Sequence, residues 1–385
     1  MIKIGITGQP GFVGTHLFNT LGLYPEEFIR IPFEDNFFQS KDKLESFVQS
    51  CDAIVHLAAM NRHNDPEVLY QTNIGLVKQM IDACEATQSK PHILFSSSTQ
   101  EERDNLYGRS KKEGRQLFEQ WAEKNEAQFT GFVIPNVFGP FGNPYYNSVI
   151  ATFCHQLTHN EQPKIEVDGD IKLIYVGELV EAIIEQITTI YNLPFTIYHL
   201  PSTIYVPHTS EIKVSFLLQK LMEFKENYFE KGTIPNLDNP FDRNLFNTFV
   251  CYIDHASYYP FKLKLNTDDR GSFVETVKLH SGGQVSFSTT VPGITRGNHF
   301  HTRKAERFAV IKGKARIELR RIGTDKVLSF ELDGKEPSYV DMPVWYTHNI
   351  TNTGEEELYT IFWINEHFDA NDPDTYFEEV QITRI

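Results

Sequence analysis

The strongest constraint on this 385-residue chain is a change of hydrophobic rhythm roughly two-thirds of the way along it. In the first part, short apolar runs alternate with longer segments. IKIGIT, EFIRI, AIVHLAA, PHILFSSS and TGFVIP read as buried strands, and stretches such as 67–87 and 110–124 between them carry helical spacing. Val176, Leu179, Val180, Ile183, Ile184 and Ile187 share one helical face. Strands apolar on both sides and joined by helices predict a parallel sheet covered on both faces. After about residue 260 the period becomes two: in KARIELRR, Ala315, Ile317 and Leu319 alternate with Arg316, Glu318 and Arg320. QVSFSTTV, KVLSFELDG and ELYTIFWI continue it between turn residues, which predicts an antiparallel sandwich or small barrel. The expected domains are 1–245 and 255–385, with the junction inside 235–260.

Bulk properties remove several classes of function. A net charge of −15 argues against nucleic acid or a membrane surface as partner, since both select a basic face. No apolar run is long enough to span a bilayer, and the opening residues lack the charged leader and long apolar region of a signal peptide. Cys51, Cys84, Cys154 and Cys251 are scattered with no Cys-x-x-Cys pair, so neither a disulfide framework nor a thiolate metal site is indicated. The expectation is a cytoplasmic protein.

Three clusters carry chemistry. Gly8, Gly11 and Gly14 follow the first strand and open a helix, where glycine lets the backbone approach a pyrophosphate seated on the helix N–H groups. Tyr107 and Lys111 stand one helical turn apart in YGRSK, and a neighbouring ammonium favours the phenolate. Upstream, FSSST ends a strand and offers a hydroxyl to a reacting carbonyl. In the second part, Gly293, His299, His301, Glu306 and Gly313 form G-x5-H-x-H-x4-E-x6-G, and Pro343, His348 and Asn352 form P-x4-H-x3-N. On a strand His299 and His301 point to one face, Glu306 returns on the next strand, and His348 completes a three-His, one-carboxylate set. Such a set suits zinc or another divalent transition metal.

The first part resembles the extended short-chain dehydrogenase/reductase family, with TGQPGFVG matching its cofactor loop, HLAA its next cofactor-lining strand, YGRSK its Tyr–Lys motif and PNVFGP the segment after the sixth strand. The resemblance implies a Rossmann-type doubly wound parallel sheet. It implies cofactor contacts at Gly8, Gly11, Phe12, Val13, Gly14, Leu57, Ala58 and Lys111, with Asn136 near the substrate. Ser98 would orient the carbonyl, Tyr107 would donate the proton, and Lys111 would hold the ribose and tune Tyr107. Ser98 and Tyr107 are only nine positions apart, so the long segment usual there is missing and Thr99 is an alternative to Ser98. Arg30, near the end of the second strand, suits a 2′-phosphate and favours NADPH over NADH, although Glu34 and Asp35 follow closely.

The histidine motifs resemble the cupin superfamily, which implies a double-stranded β-helix, although Trp345 stands where cupins usually carry glycine. DDRGSFVE resembles the nucleotide-sugar contact segment of cupin-like 4-keto-6-deoxysugar epimerases, implying substrate contacts at Arg270, Phe273 and Glu275. The whole chain resembles the bifunctional capsular-polysaccharide enzymes acting on UDP-2-acetamido-2,6-dideoxy-4-hexuloses, through YNSVIATF, PGITRGNHFH, YTHNITN and DPDTYF. That resemblance implies epimerisation at carbon 3 in the cupin domain and reduction of the 4-keto group with NADPH in the reductase domain. The product would be of the UDP-N-acetyl-6-deoxy-L-talosamine type, and the protein a homodimer. Tyr346 and any non-ligating histidine are candidates for the epimerising base. Two other readings stay open: a reductase whose cupin is a zinc-stabilised dimerisation module, and a non-catalytic NADPH or sugar sensor.

Overall fold

The computed structural model describes residues 1–192 and 201–382. They form two compact units, one from 1–138, 142–149 and 169–212, the other from 139–141, 150–168 and 213–385.

In the first unit β1 (Ile2–Thr7), α1 (Phe12–Leu21), β2 (Phe28–Ile31), α2 (Lys41–Ser50), β3 (Ala53–His56), α3 (Pro66–Thr87), β4 (His92–Ser98), α4 (Leu106–Asn125) and β5 (Phe129–Ile134) alternate as the rhythm predicts. After them come β6 (Asn136–Phe138), then α5 (Val149–Thr158), which belongs to the second unit from its second residue on, and, back in the first unit, β7 (Asp170–Tyr175), α6 (Val176–Tyr191), β8 (Ser202–Tyr205) and β9 (Ser210–Lys213). The main sheet runs β2-β1-β3-β4-β5-β8 with every pair parallel. One apolar cluster packs Leu17, Leu21, Leu179, Val180 and Ile183 of α1 and α6 against the strands. A second packs Phe47, Val77, Met80, Phe118 and Trp121 of α2, α3 and α4. This is the doubly wound Rossmann-type arrangement. From β1 the chain passes to β2 on one side and then to β3 on the other, so a crevice opens at their carboxyl ends.

Local signals place the two helices that matter most. Asp65 caps α3 by accepting from Glu67 N–H at 2.9 Å, with proline at the start of the helix. Asn105 caps α4 by accepting from Gly108 N–H at 2.8 Å, one residue before the turn that carries Tyr107 begins.

The second unit contains α7 (Val214–Phe224), β10 (Thr233–Ile234), α8 (Pro240–Val250) and α9 (His255–Tyr258), so the stretch 235–260 is itself folded. Beyond it lie β11 (Phe261–Lys262), β12 (Leu265–Asp268), β13 (Gly271–Val274), β14 (Lys278–Leu279), β15 (Gln284–Thr290), β16 (Thr295–Phe300) and β17 (Glu306–Lys312). The series ends with β18 (Lys314–Arg321), β19 (Val327–Asp333), β20 (Ser338–Met342), β21 (Tyr346–Asn352), β22 (Leu358–Ile364) and β23 (Tyr376–Phe377). Two five-stranded sheets, β11-β20-β17-β22-β15 and β19-β18-β21-β16-β23, enclose a core that includes Ala309, Ile317, Leu319, Val340, Ile350 and Leu358. This is the cupin-like fold. A fully buried Arg307 pins the helical segment to it, forking onto Asp341 at 2.7 and 2.8 Å and donating to the Gly232 carbonyl at 2.6 Å.

Candidate functional site

In the first unit the crevice is a groove of about 910 Å³ lined by segments that follow each of the first five strands. Gly8, Gly11, Phe12, Val13 and Gly14 come from the β1–α1 turn, Leu57 and Ala58 from the end of β3, and Ser98, Tyr107, Lys111 and Asn136 from β4 onward. The turn must be glycine where it is tightest. Gly8 has φ 69°, and a Cβ there would lie 2.8 Å from the Ala58 nitrogen; a Cβ on Gly14 would lie 2.5 Å from the Gly8 carbonyl. The Gly11 cap of α1 makes no side-chain cap bond, so the first N–H groups of α1 have no side-chain acceptor at that cap.

Lys111 is buried, and its Nζ donates to the Ser96 carbonyl at 3.0 Å while lying 5.9 Å from the Tyr107 ring centre. Burial pulls its pKa down to about 8, against the pull of Glu101, which favours the ammonium. Tyr107 moves the other way from the sequence expectation: burial, with the nearby Tyr146, pushes its phenol up to about 12. Desolvation of the phenolate therefore outweighs the ammonium, and Tyr107 stands as a protonated donor. Ser98 lines the groove, whereas Thr99 is exposed and is not among the residues that line it. Ser98 Oγ accepts from Gln100 N–H at 3.2 Å.

Arg30 is not where the cofactor argument needs it. Its Nη1 donates to the Phe18 carbonyl at 3.2 Å and its guanidinium sits 4.3 Å over the Phe18 ring. The residues after β2 that line the groove are Asp35, Phe38 and Gln39. The placement of Arg30 thus lends no weight to NADPH over NADH.

Two arrangements escaped the reading of motifs. The short β4–α4 connection is braced by Glu101, which receives a hydrogen bond from Ser97 Oγ and a forked pair from Arg115 at 3.0 and 2.9 Å. Arg115 also donates to Thr203 on β8 at 3.0 Å. Asn73 on α3 holds both backbone groups of Met60, at 2.7 and 3.0 Å, and donates to Ser110 at 3.0 Å. Neither stands in a local string with distinctive spacing.

In the second unit the predicted ligands do converge. Donor atoms of His299, His301, Glu306 and His348 lie within 4.8 Å of one another. A bulge at Gly297–Asn298 precedes His299, which pairs in register with His348 on β21, while Glu306 opens β17 on the opposite sheet. Glu306 Oε2 is 3.2 Å from His301 Nε2 and 3.1 Å from His348 Nε2, and all three buried atoms lack a hydrogen-bond partner. Buried polar atoms aimed at one another without hydrogen bonds are what a cation between them would satisfy. Backbone carbonyls hold the other ring nitrogens of two of the histidines: His301 Nδ1 bonds Asp374 O, and His348 Nδ1 bonds Tyr346 O at 3.2 Å. That leaves both Nε2 lone pairs for a metal. Burial and the two neighbouring imidazoles lower His299 to about 4. Burial alone would raise Glu306, yet His301 and His348 hold it well below the usual carboxylate range.

Trp345 explains the missing glycine. It adopts φ 63°, the conformation glycine takes easily, and is held by its N–H to His301 O at 2.7 Å and a ring stacked 5.7 Å from Phe300. Asp374, inside DPDTYF, was missed as a site residue; its carboxylate accepts from Thr302 N–H and Oγ1, Arg303 N–H and Lys304 N–H. Arg270, Phe273 and Glu275 are not drawn into the cluster. They ride on the exposed hairpin of β12 and β13 and its flank, Arg270 paired with Asp268, Glu275 with Lys278, and Phe273 open to solvent. Tyr346 packs 5.3 Å from the His255 ring, and burial raises its pKa, which disfavours it as a base. Among the described residues no helix is long and apolar enough to cross a membrane.

A glycine-turn groove with a Tyr–Lys pair, joined to a histidine-bearing barrel, defines the class, and comparison agrees: the chain belongs to the NAD dependent epimerase/dehydratase family, matched over residues 4–197. Residues 266–376 match the polysaccharide biosynthesis C-terminal domain. Along 97% of its length the chain is 32% identical to UDP-2-acetamido-2,6-beta-L-arabino-hexul-4-ose reductase of Pseudomonas aeruginosa, covering 98% of that protein. It is similar over 99% of its length to the whole of the capsular polysaccharide assembling protein CapF from Staphylococcus aureus, at 35% identity and a TM-score of 0.61. Across 29% of the chain it is 28% identical to the spore coat polysaccharide biosynthesis protein SpsL of Bacillus subtilis, covering 82% of that protein.

Proposed function

We propose that this chain is a nucleotide-sugar enzyme of capsule or surface polysaccharide synthesis, acting on a UDP-2-acetamido-2,6-dideoxy-4-hexulose. The barrel epimerises carbon 3 and the Rossmann-type unit reduces the 4-keto group, giving a product of the UDP-N-acetyl-6-deoxy-L-talosamine type. The observation that carries the reading is the shared groove: Tyr107, Lys111 and Ser98 line the same crevice as the glycine turn. The near full-length similarity to a hexulose reductase supports the substrate class. We assign the reductase role to 1–245 and the epimerase role to 255–385.

Bound NADPH supplies the hydride for carbon 4. Ser98 orients the ketone, and Tyr107, kept protonated by burial, gives its proton to the oxygen that becomes the 4-hydroxyl. Lys111 binds the ribose and stands beside that phenol. At the barrel, His299, His301, Glu306 and His348 would hold a divalent metal, zinc by ligand type, which supplies Lewis acidity toward a ketone oxygen. The exposed Val285 and Phe287 on the edge strand β15 support a homodimer, and sedimentation as a monomer would overturn that part.

A second reading has its own observation. His301, Glu306 and His348 are almost fully buried, as in closed four-ligand structural sites, which favours a metal that staples the two sheets in a protein that is a reductase alone. Reduction itself is tested by NADPH oxidation with the 4-keto nucleotide sugar. The wild type should oxidise NADPH and Tyr107→Phe should lose most of that rate. Absence of oxidation sinks the reductase role, and full activity in Tyr107→Phe sinks the proton donor.

A further inference from the structure

Two loops of the first unit meet through one arginine. Arg62, just beyond β3, donates from Nη1 to the carbonyls of Tyr145 and Tyr146, at 3.3 Å each. Tyr145 has φ 60°, a conformation that costs a non-glycine residue roughly 1–2 kcal/mol, so the turn needs outside contacts to hold it. Arg62 is itself anchored from behind. Asn73 fixes Met60 through both backbone groups and donates to Ser110 Oγ, and that hydroxyl donates to the Tyr107 carbonyl at 2.8 Å. A hydrogen-bonded path therefore runs from the turn bearing Tyr107, through Asn73 and residues 60–62, to Tyr146, whose side chain lines the same groove.

The position of Tyr146 says which ligand it meets. A dinucleotide in this fold occupies the switch point between β1 and β3, over the glycine turn, Leu57 and Ala58. Gly142, Asn143, Tyr146 and Asn147 come from the segment after β5 and β6, beyond the catalytic end of that path. Tyr146 is also close enough to add to the upward push on Tyr107.

We propose that Arg62 is a positioning residue that seats Tyr146 beside Tyr107, and that Tyr146 contacts the sugar of the substrate rather than the dinucleotide. The proposal rests on the reductase reading above. In full-length Arg62→Ala the KM for the 4-keto nucleotide sugar rises about three- to tenfold, the range for losing one ordinary hydrogen bond. The KM for NADPH stays within about twofold, and Arg62→Lys, which keeps one donor, recovers part of the loss. Tyr146→Phe raises the same sugar KM. Amide exchange of residues 142–148 in the resting protein is faster in Arg62→Ala. An unchanged sugar KM, both KM values rising together, or unchanged exchange at 142–148 overturns the proposal. If the wild type oxidises no NADPH, the reductase reading fails instead, and the exchange experiment still decides whether Arg62 holds the loop.

Discussion

Asp374→Ala should loosen the histidine cluster without touching any ligand. The Asp374 carboxylate is buried and accepts backbone N–H groups of Thr302, Arg303 and Lys304 at 3.0 Å each, together with Thr302 Oγ1 at 2.7 Å. Its own carbonyl fixes the His301 ring. Truncation leaves three backbone donors without their acceptor. At about 1 kcal/mol each for a partly buried loop, with about 1 kcal/mol more because alanine tolerates the φ of 40° less well, the loss is about 3–5 kcal/mol, concentrated between His301 and Glu306. Supporting partners of this kind alter metal affinity by about 10–100-fold, and zinc binding should weaken by that much. Competition for zinc between the purified protein and a chromogenic chelator measures it, with circular dichroism to confirm folding. Asp374→Asn keeps one acceptor oxygen and should fall between. Zinc affinity within twofold of wild type in Asp374→Ala would refute the claim that this turn organises the site.

Arg30→Ala should leave the ratio of kcat/KM for NADPH and NADH within about twofold, since the guanidinium is committed to Phe18; a tenfold fall would mean that the side chain swings into the groove. The reductase pH profile should lose activity above about pH 8, where Lys111 deprotonates, with Tyr107 still protonated; Glu101→Gln, which removes the charge favouring the ammonium, should move that limb to lower pH, and an unmoved limb contradicts the assignment. Because the folded Lys111 pKa lies below its unfolded value, the unfolded chain binds more protons between about 8 and 10.5, and the Lys111 contribution to stability should rise with pH across that window, as denaturant titrations can follow. Trp345→Gly would relieve roughly 1–2 kcal/mol of left-handed strain but forfeit a buried ring worth about 3–5 kcal/mol, so the barrel should melt at lower temperature; a higher melting point would show that strain dominates.

Much of this was legible in the residues because the relevant periods are local. Helical spacing at Val176–Ile187 and alternation in Ala315–Arg320 each report a buried face directly. The His299–His301–Glu306 spacing worked for the same reason, since one strand and the next return ligands to one point. What escaped detection is long-range. Asp374 serves a loop some seventy positions earlier, and Arg115 reaches Thr203 across the sheet, contacts that no spacing encodes. Arg30 shows the limit from the other side: its place near the end of β2 suggested a phosphate ligand, but the aromatic face and the backbone carbonyl of Phe18 on α1 hold it elsewhere. Tyr107 shows another, because the Tyr–Lys spacing announces the ammonium and says nothing of how dry the phenol will be.

If two chemistries act on one ketone, an isotope separates them most directly. The full-length protein, loaded with zinc, is incubated with the 4-keto nucleotide sugar in deuterated water without NADPH. Enzyme-dependent deuterium at carbon 3 is the predicted result, with NADPH then converting the labelled material to the 4-hydroxyl product. NADPH oxidation with no deuterium entering carbon 3 would contradict the two-step account and leave a reductase whose barrel is a metal-stapled module.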